Sequence, residues 1–170
     1  MEQEIFMAIK PGDARIKAVR KYVKNELQDA GFEIEESGFY QYDGNSADKH
    51  YAHLVKEPFY PSIKEYMTSD VCFGMIVKGE NAIEVIHNKM VGSTKNPNPG
   101  TMRYEIPKML GREPQVTANV IHSSDSEEAA ELEIGIFRER RQAYIEEHGE
   151  NYKPSDLEPA KTQKAAELTM

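Results

Sequence analysis

At 170 residues with 39% hydrophobic content, the chain is the length of one ordinary domain and can bury a core of its own. A net charge of −8 excludes a protein that coats nucleic acid, which needs clustered Lys and Arg. It leaves room for a cleft that binds a small anion through a few local cations and oriented N–H groups. The single cysteine, Cys72, rules out an internal disulfide framework. No apolar run reaches the ~20 residues of a membrane-spanning helix, so a soluble, unexported, cytoplasmic protein is expected.

Residues 4–10 read as a short apolar strand closed by the turn sequence Pro11-Gly12-Asp13. Ile16, Val19, Tyr22, Val23 and Leu27 recur at helical spacing, which predicts a helix over 14–30 stopped by Gly31. Loose alternation gives a second strand over 33–42, and Asp43-Gly44-Asn45 turns the chain. A short helix is predicted over 46–54, and Pro61 suits the first turn of another that carries Ile63, Tyr66 and Met67. The run 71–77 is the third strand, broken by Gly79, and 80–91 has the period of a helix. A loop rich in Gly, Asn and Pro spans 92–100. Pro107, Gly111 and Pro114 make 101–115 read as largely irregular. A fourth strand over 116–121 delivers His122 to the start of a helix over 124–134, which the capping-box pattern Ser124-Asp125-Ser126-Glu127 opens. Residues 138–148 have helical character, and the polar, proline-punctuated 149–170 is expected to pack weakly. Alternating strands and helices by themselves suggest a parallel, doubly wound sheet.

The segment around His122 carries the chemistry. An imidazole between a buried strand and a helix start lies where free N–H groups and the helix dipole attract phosphate, and its neutral form is a competent nucleophile near neutral pH. Glu133 shares the inward stripe of the following helix with Ala129, Ala130, Ile134 and Phe137. A carboxylate there needs a partner, and His122 and the Ser124 hydroxyl are the nearest candidates. Such a carboxylate would fix one ring nitrogen and free the other; spacing leaves open which one. Taken alone, the same residues also fit a core or surface histidine beside a capping serine, the commoner case.

Together with several other stretches, these residues resemble nucleoside diphosphate kinases. The resemblance runs from about residue 5 to residue 137, and its most specific motif is Asn119-x-x-His122-x-Ser124-Asp125. Ala8-Ile9-Lys10-Pro11, His50-Tyr51, Pro58-Phe59, Gly92-x-Thr94, Asn96-Pro97, Pro99-Gly100-Thr101-x-Arg103 and Glu131-x-Glu133-Ile134-Gly135 fall in family order. It implies an α+β, ferredoxin-like (split βαβ) fold: a four-stranded antiparallel sheet flanked by helices, on one face, over residues 1–137. Residues 138–170 would be a charged C-terminal extension, partly helical and then weakly ordered.

The resemblance further implies a ping-pong reaction in which a triphosphate phosphorylates His122 and a diphosphate then takes the group. Lys10 would contact the ribose hydroxyl and terminal phosphate, Tyr51 would help place His122, and Asn119 would reach the ribose. Thr94 and Arg103 resemble phosphate ligands; Phe59 would stack on the base beside Ile63, with little discrimination among bases. Mg2+ would be held by the phosphates and water, with no direct protein ligand. The implied partners are nucleoside di- and triphosphates, ATP, GTP and deoxynucleotides among them, in a homo-oligomer without membrane or specific nucleic-acid binding.

Departures from the family pattern motivate a second reading, a nucleotide-binding regulatory or scaffold module with weakened catalysis. Pro-Gly-Asp replaces the expected Pro-Asp-Gly at Pro11-Gly12-Asp13, and Ser123 replaces a glycine. An arginine expected before Gly92 is missing from Ile86-His87-Asn88-Lys89, so either affinity is weaker or His87 or Lys89 substitutes. The loop after Asn96 is short and the stretch 104–118 long. His50 and His53, at near-helical spacing without a third metal ligand, read as a solvated helix face.

Overall fold

The computed structural model describes residues 1–116 and 119–158. Its sheet is built from β1 (Glu2–Ile9), β2 (Glu33–Tyr40), β3 (Cys72–Glu80) and β4 (Ile121–Ser123), in the order β2-β3-β1-β4. Every neighbouring pair is antiparallel, which is the ferredoxin-like order and not the doubly wound sheet that alternation alone suggests. Successive residues of central β1 feed opposite sides, as the period of a strand requires: Ile5, Met7 and Ile9 enter one core, Phe6 and Ala8 the other.

Helices accordingly cover both faces, where the resemblance implies one. On the first, α1 (Lys17–Asp29) contributes Val19, Val23 and Leu27, α4 (Ile83–Val91) contributes Ile86 and Val91, and α5 (Met102–Met109) contributes Met102 and Ile106. On the second, α2 (Gly44–His50), α3 (Tyr60–Thr68) and α6 (Glu127–His148) supply Ala47, Met67, Ile136 and Phe137.

Several boundaries move for identifiable reasons. Helix α2 starts at a reciprocal capping box between Asp43 and Ser46, earlier than the expected start at residue 46. Gly79 does not break β3, which pairs through it to Glu80; the glycine is needed because a Cβ there would lie 2.3 Å from the Phe32 ring. Residues 101–115 are not largely irregular, since α5 forms around Pro107, with Met102, Arg103, Ile106 and Pro107 all buried. Burial of that face outweighs the ~3 kcal/mol penalty of an interior proline. Helix α4 is π-helical, with Gly92 N–H bonded to the His87 carbonyl five residues back at 3.2 Å, so one extra residue is absorbed in a wide turn.

The fourth strand is three residues long and contains His122, which pairs with Ala8; part of the expected 116–121 strand, residues 117 and 118, lies outside the described residues. Ahead of it Val120 has φ 77, and the Ile121 N–H reaches the Asn119 carbonyl at 2.9 Å, a γ-turn. The helix that follows is capped by Ser126, whose side chain accepts from Ala129 N–H, and not by Ser124. It continues unbroken to His148. Beyond it, Arg15 donates to the Ser155 carbonyl and hydroxyl at 3.0 and 2.7 Å, and Arg20 pairs with Asp156 at 2.9 Å. The described part of the extension is thus docked; residues 159–170 lie outside the described residues.

Candidate active site

Ser124 fails to cap α6 because its hydroxyl is engaged elsewhere. It is fully buried, accepts from the Phe6 N–H at 3.0 Å and donates to Glu133 Oε1 at 2.9 Å. The same carboxylate oxygen lies 2.7 Å from His122 Nε2. Glu133, two turns into α6, therefore accepts from two donors and is fixed against β4. With the Nε2 proton held by Glu133, the lone pair of His122 resides on Nδ1. Burial, Lys10 and Arg103 all oppose a charge on this ring and hold its pKa down to about 3, so the neutral, nucleophilic form prevails at physiological pH.

His122 lines a recess of about 670 Å³ together with Lys10, Thr94, Arg103 and Asp125. A second recess of about 550 Å³ is lined by Phe59, Ile63, Tyr66 and Met67. Lys10, Tyr51 and Asn119 line both, making one cleft with a cationic end and an aromatic end. Every predicted site residue is in the cleft lining except Ser124, which acts from behind through Glu133.

The cleft's electrostatics favour an anion. Lys10 directly follows β1 and is buried, and burial with Arg103 lowers its pKa to about 8. Arg103, on α5, donates to the carbonyls of Gly92 at 2.6 Å and Ile121 at 3.1 Å, tying the loop after α4 to β4; its buried Nε has no partner among the described residues. Asn119 donates to Val116 O at 2.7 Å, while its buried Oδ1 has no partner there. Such unpaired buried polar atoms are costly unless a ligand or water completes them. Phe59 is half exposed, at 51%, which suits a stacking platform for a flat ring. Tyr51 touches His122 through His50: ring centroids are 4.5 Å from Tyr51 to His50 and 4.6 Å from His50 to His122.

Two further histidines line the site: His50, and His87, one of the two candidates for the place of the missing arginine. His50 is 6% exposed, not on a solvated face; only His53 is exposed. Its Nδ1 meets the buried Tyr42 hydroxyl at 2.9 Å, and burial and His122 lower its pKa to about 3. Ligand atoms of His50, His122 and Glu133 lie within 4.8 Å of one another. The pairing of His50 with Tyr51 in the family motif is the sequence signal that could have placed it here. His87, on α4, also lines the recess, whereas Lys89 is exposed outside it.

Fold and cleft together define a ferredoxin-like phosphotransferase with an anion-attracting, histidine-lined site. A model of the family "Nucleoside diphosphate kinase" matches residues 3–143. The chain belongs to the nucleoside diphosphate kinase family, and its activity is that of a nucleoside diphosphate kinase. Curated relatives of that name include one from Methanocaldococcus jannaschii, 36% identical over 81% of this chain and 94% of its own length. Another, from Streptococcus pneumoniae, is 38% identical over 81% and 99%. Among solved structures, the Halobacterium salinarum nucleoside diphosphate kinase in complex with CDP superposes with TM-score 0.69 at 27% identity, covering 81% of this chain and 88% of that one. The Encephalitozoon cuniculi enzyme superposes with TM-score 0.70 over 95% and 98%, at 22% identity, and shows likeness of fold.

Proposed function

We propose that the chain transfers the terminal phosphate of a nucleoside triphosphate to a nucleoside diphosphate through a phosphate carried on His122 Nδ1. The supporting observation is the 2.7 Å contact of His122 Nε2 with Glu133, which leaves Nδ1 as the nitrogen with an available lone pair. In the first half-reaction Nδ1 bonds to the terminal phosphorus as the bond to the bridging oxygen breaks, and the diphosphate departs with that electron pair. In the second, a terminal phosphate oxygen of the acceptor attacks the same phosphorus and returns the pair to Nδ1. Because one site serves both directions, positioning and charge neutralisation do most of the work.

Lys10 and Arg103 meet the phosphates, Thr94 adds a hydroxyl, and Asn119 with Lys10 reaches the ribose. Phe59 and Ile63 hold the base by its face, so ATP, GTP and deoxynucleotides are all accepted. Tyr51, Ser124 and Glu133 position His122. Mg2+ bound to the phosphates would supply charge neutralisation there. The donor set fits that arrangement: Glu133 is occupied by His122 and Ser124, and Asp125 is an exposed carboxylate on the lining, so a protein cage for the metal is not needed. We place this activity in the cytoplasm, as a homo-oligomer; among the described residues no helix is long and apolar enough to cross a membrane.

Incubation with ATP labelled on its terminal phosphate, without acceptor, should give an acid-labile label on the protein that GDP or a deoxynucleoside diphosphate discharges. His122→Ala should abolish it. Binding of ATP without any label would instead support the regulatory module. Phe59→Ala should weaken all bases alike, and marked selectivity of the native protein for one base would contradict stacking.

A further inference from the structure

Two departures from the family pattern, His87 and Ser123, are 36 positions apart and meet at 2.7 Å, His87 Nδ1 to Ser123 Oγ. Ser123 is buried, at 2% exposure, in β4 immediately after His122. The π turn of α4 sets His87 against it: the His87 carbonyl accepts from Gly92 N–H across five residues. The ring is half-buried and lines the same recess as Lys10, Arg103 and His122.

We propose that His87, oriented by Ser123, contacts the phosphates of the bound nucleotide and that its protonation couples nucleotide binding to proton uptake. The inference rests on the reading of this cleft as the nucleotide site. When the Ser123 hydroxyl donates to Nδ1, the neutral ring carries its proton on Nε2. When the ring is protonated, Nδ1 donates to Ser123 and Nε2 is again a donor. In both of these states Nε2–H can face an anion, and the cationic form binds it more strongly.

The surroundings set the sign. Arg103 on α5, Lys10 directly after β1 and His122 on β4 crowd the same recess, with Asp125 and Glu133 as the opposing carboxylates. In the free protein burial and then Arg103 lower the pKa of His87, so the ring is mostly neutral near pH 7. A polyphosphate in the recess reverses the local field and raises it. Binding therefore takes up a proton, and affinity falls as pH rises through the imidazole range. An arginine at the same place would bind phosphate with no such dependence.

The test is titration calorimetry of ADP with the full chain in two buffers of different ionisation enthalpy, between about pH 6 and about pH 8, where imidazole changes charge. Native protein should take up protons beyond those released or bound by ADP itself, and its Kd should rise with pH. His87→Gln should bind about tenfold more weakly at the acid end, the loss of one charge-assisted hydrogen bond, and lose the additional uptake there, where Lys10 is already charged in the free protein. His87→Arg should bind tightly with a flatter profile. Ser123→Gly should weaken binding while keeping part of the pH slope, as expected of a positioning residue. If His87→Gln and His87→Arg both keep the native Kd and proton uptake while His122 still takes the label, this inference is overturned and the catalytic reading stands. If native protein neither binds ADP nor takes the label, the catalytic reading itself fails.

Discussion

Glu133 connects the nucleophile to the fold, because one oxygen accepts from both His122 and Ser124. Glu133→Gln keeps the shape but removes the charge that steadies the Nε2 proton. Turnover should fall about 10- to 100-fold, the ~1.5–3 kcal/mol of a hydrogen bond to a charged group expressed as a rate; stopped-flow measurement of His122 phosphorylation checks it. Lys10 gives a separate pH signature. Its pKa is lowered to about 8 in the free protein, and bound phosphate favours the charged form. Nucleotide affinity should therefore decline as pH climbs past 8, above the His87 window, and Lys10→Gln should be weaker but free of that decline. The His122, Ser124 and Glu133 cluster was legible in sequence because two of its members are close neighbours and the third lies on a regular helical stripe. His87 was only half legible: its distance from Gly92 makes sense once the helix is known to be π-wound, and residue periodicity at 3.6 carries no trace of such a turn.

At the scale of elements, strands and amphipathic helices followed their patterns, and the misreadings came where one side chain or one buried face overrode local preference. Gly79 and Pro107 look like breakers, yet each sits inside an element, the first making room for Phe32 and the second buried on the inward face of α5. Gly74 in β3 has the same character as Gly79. A Cβ there would lie 2.5 Å from Phe137 and 2.8 Å from Tyr40, both large buried rings whose mutual packing at 5.2 Å leaves little slack. Gly74→Ala should thus destabilise the fold by about 1–3 kcal/mol, the usual cost of overpacking, seen as a lower urea midpoint with unchanged m value. Because α6 carries both Phe137 and Glu133, any shift that accommodates the methyl should also loosen the His122 contact and slow phosphorylation.

Across the whole molecule, the extension acts on the side chains of α1 and its approach. Arg15 holds Ser155, Arg20 holds Asp156, and the Leu157 N–H donates to the Arg15 carbonyl at 2.9 Å, while the Leu157 side chain packs on the first core. Polarity and proline content in 149–170 made weak packing the natural expectation, since so few apolar residues can anchor such a stretch; Leu157, Arg15, Arg20 and the stacking of Tyr152 on His148 at 4.7 Å hold its described part. The ion pair is half exposed on the aspartate side, at 53%, and is worth little by itself. The burial of Leu157 and the backbone bond should dominate. Removing residues 149–170 should therefore lower stability by about 1–3 kcal/mol, read as a drop in the thermal midpoint. None of residues 149–158 lines the cleft, so ADP affinity and the pH dependence assigned to His87 should survive the truncation. A loss of affinity alongside stability would mean that the tail reaches the site through α1 and β1, tying the extension to catalysis as well as to the core.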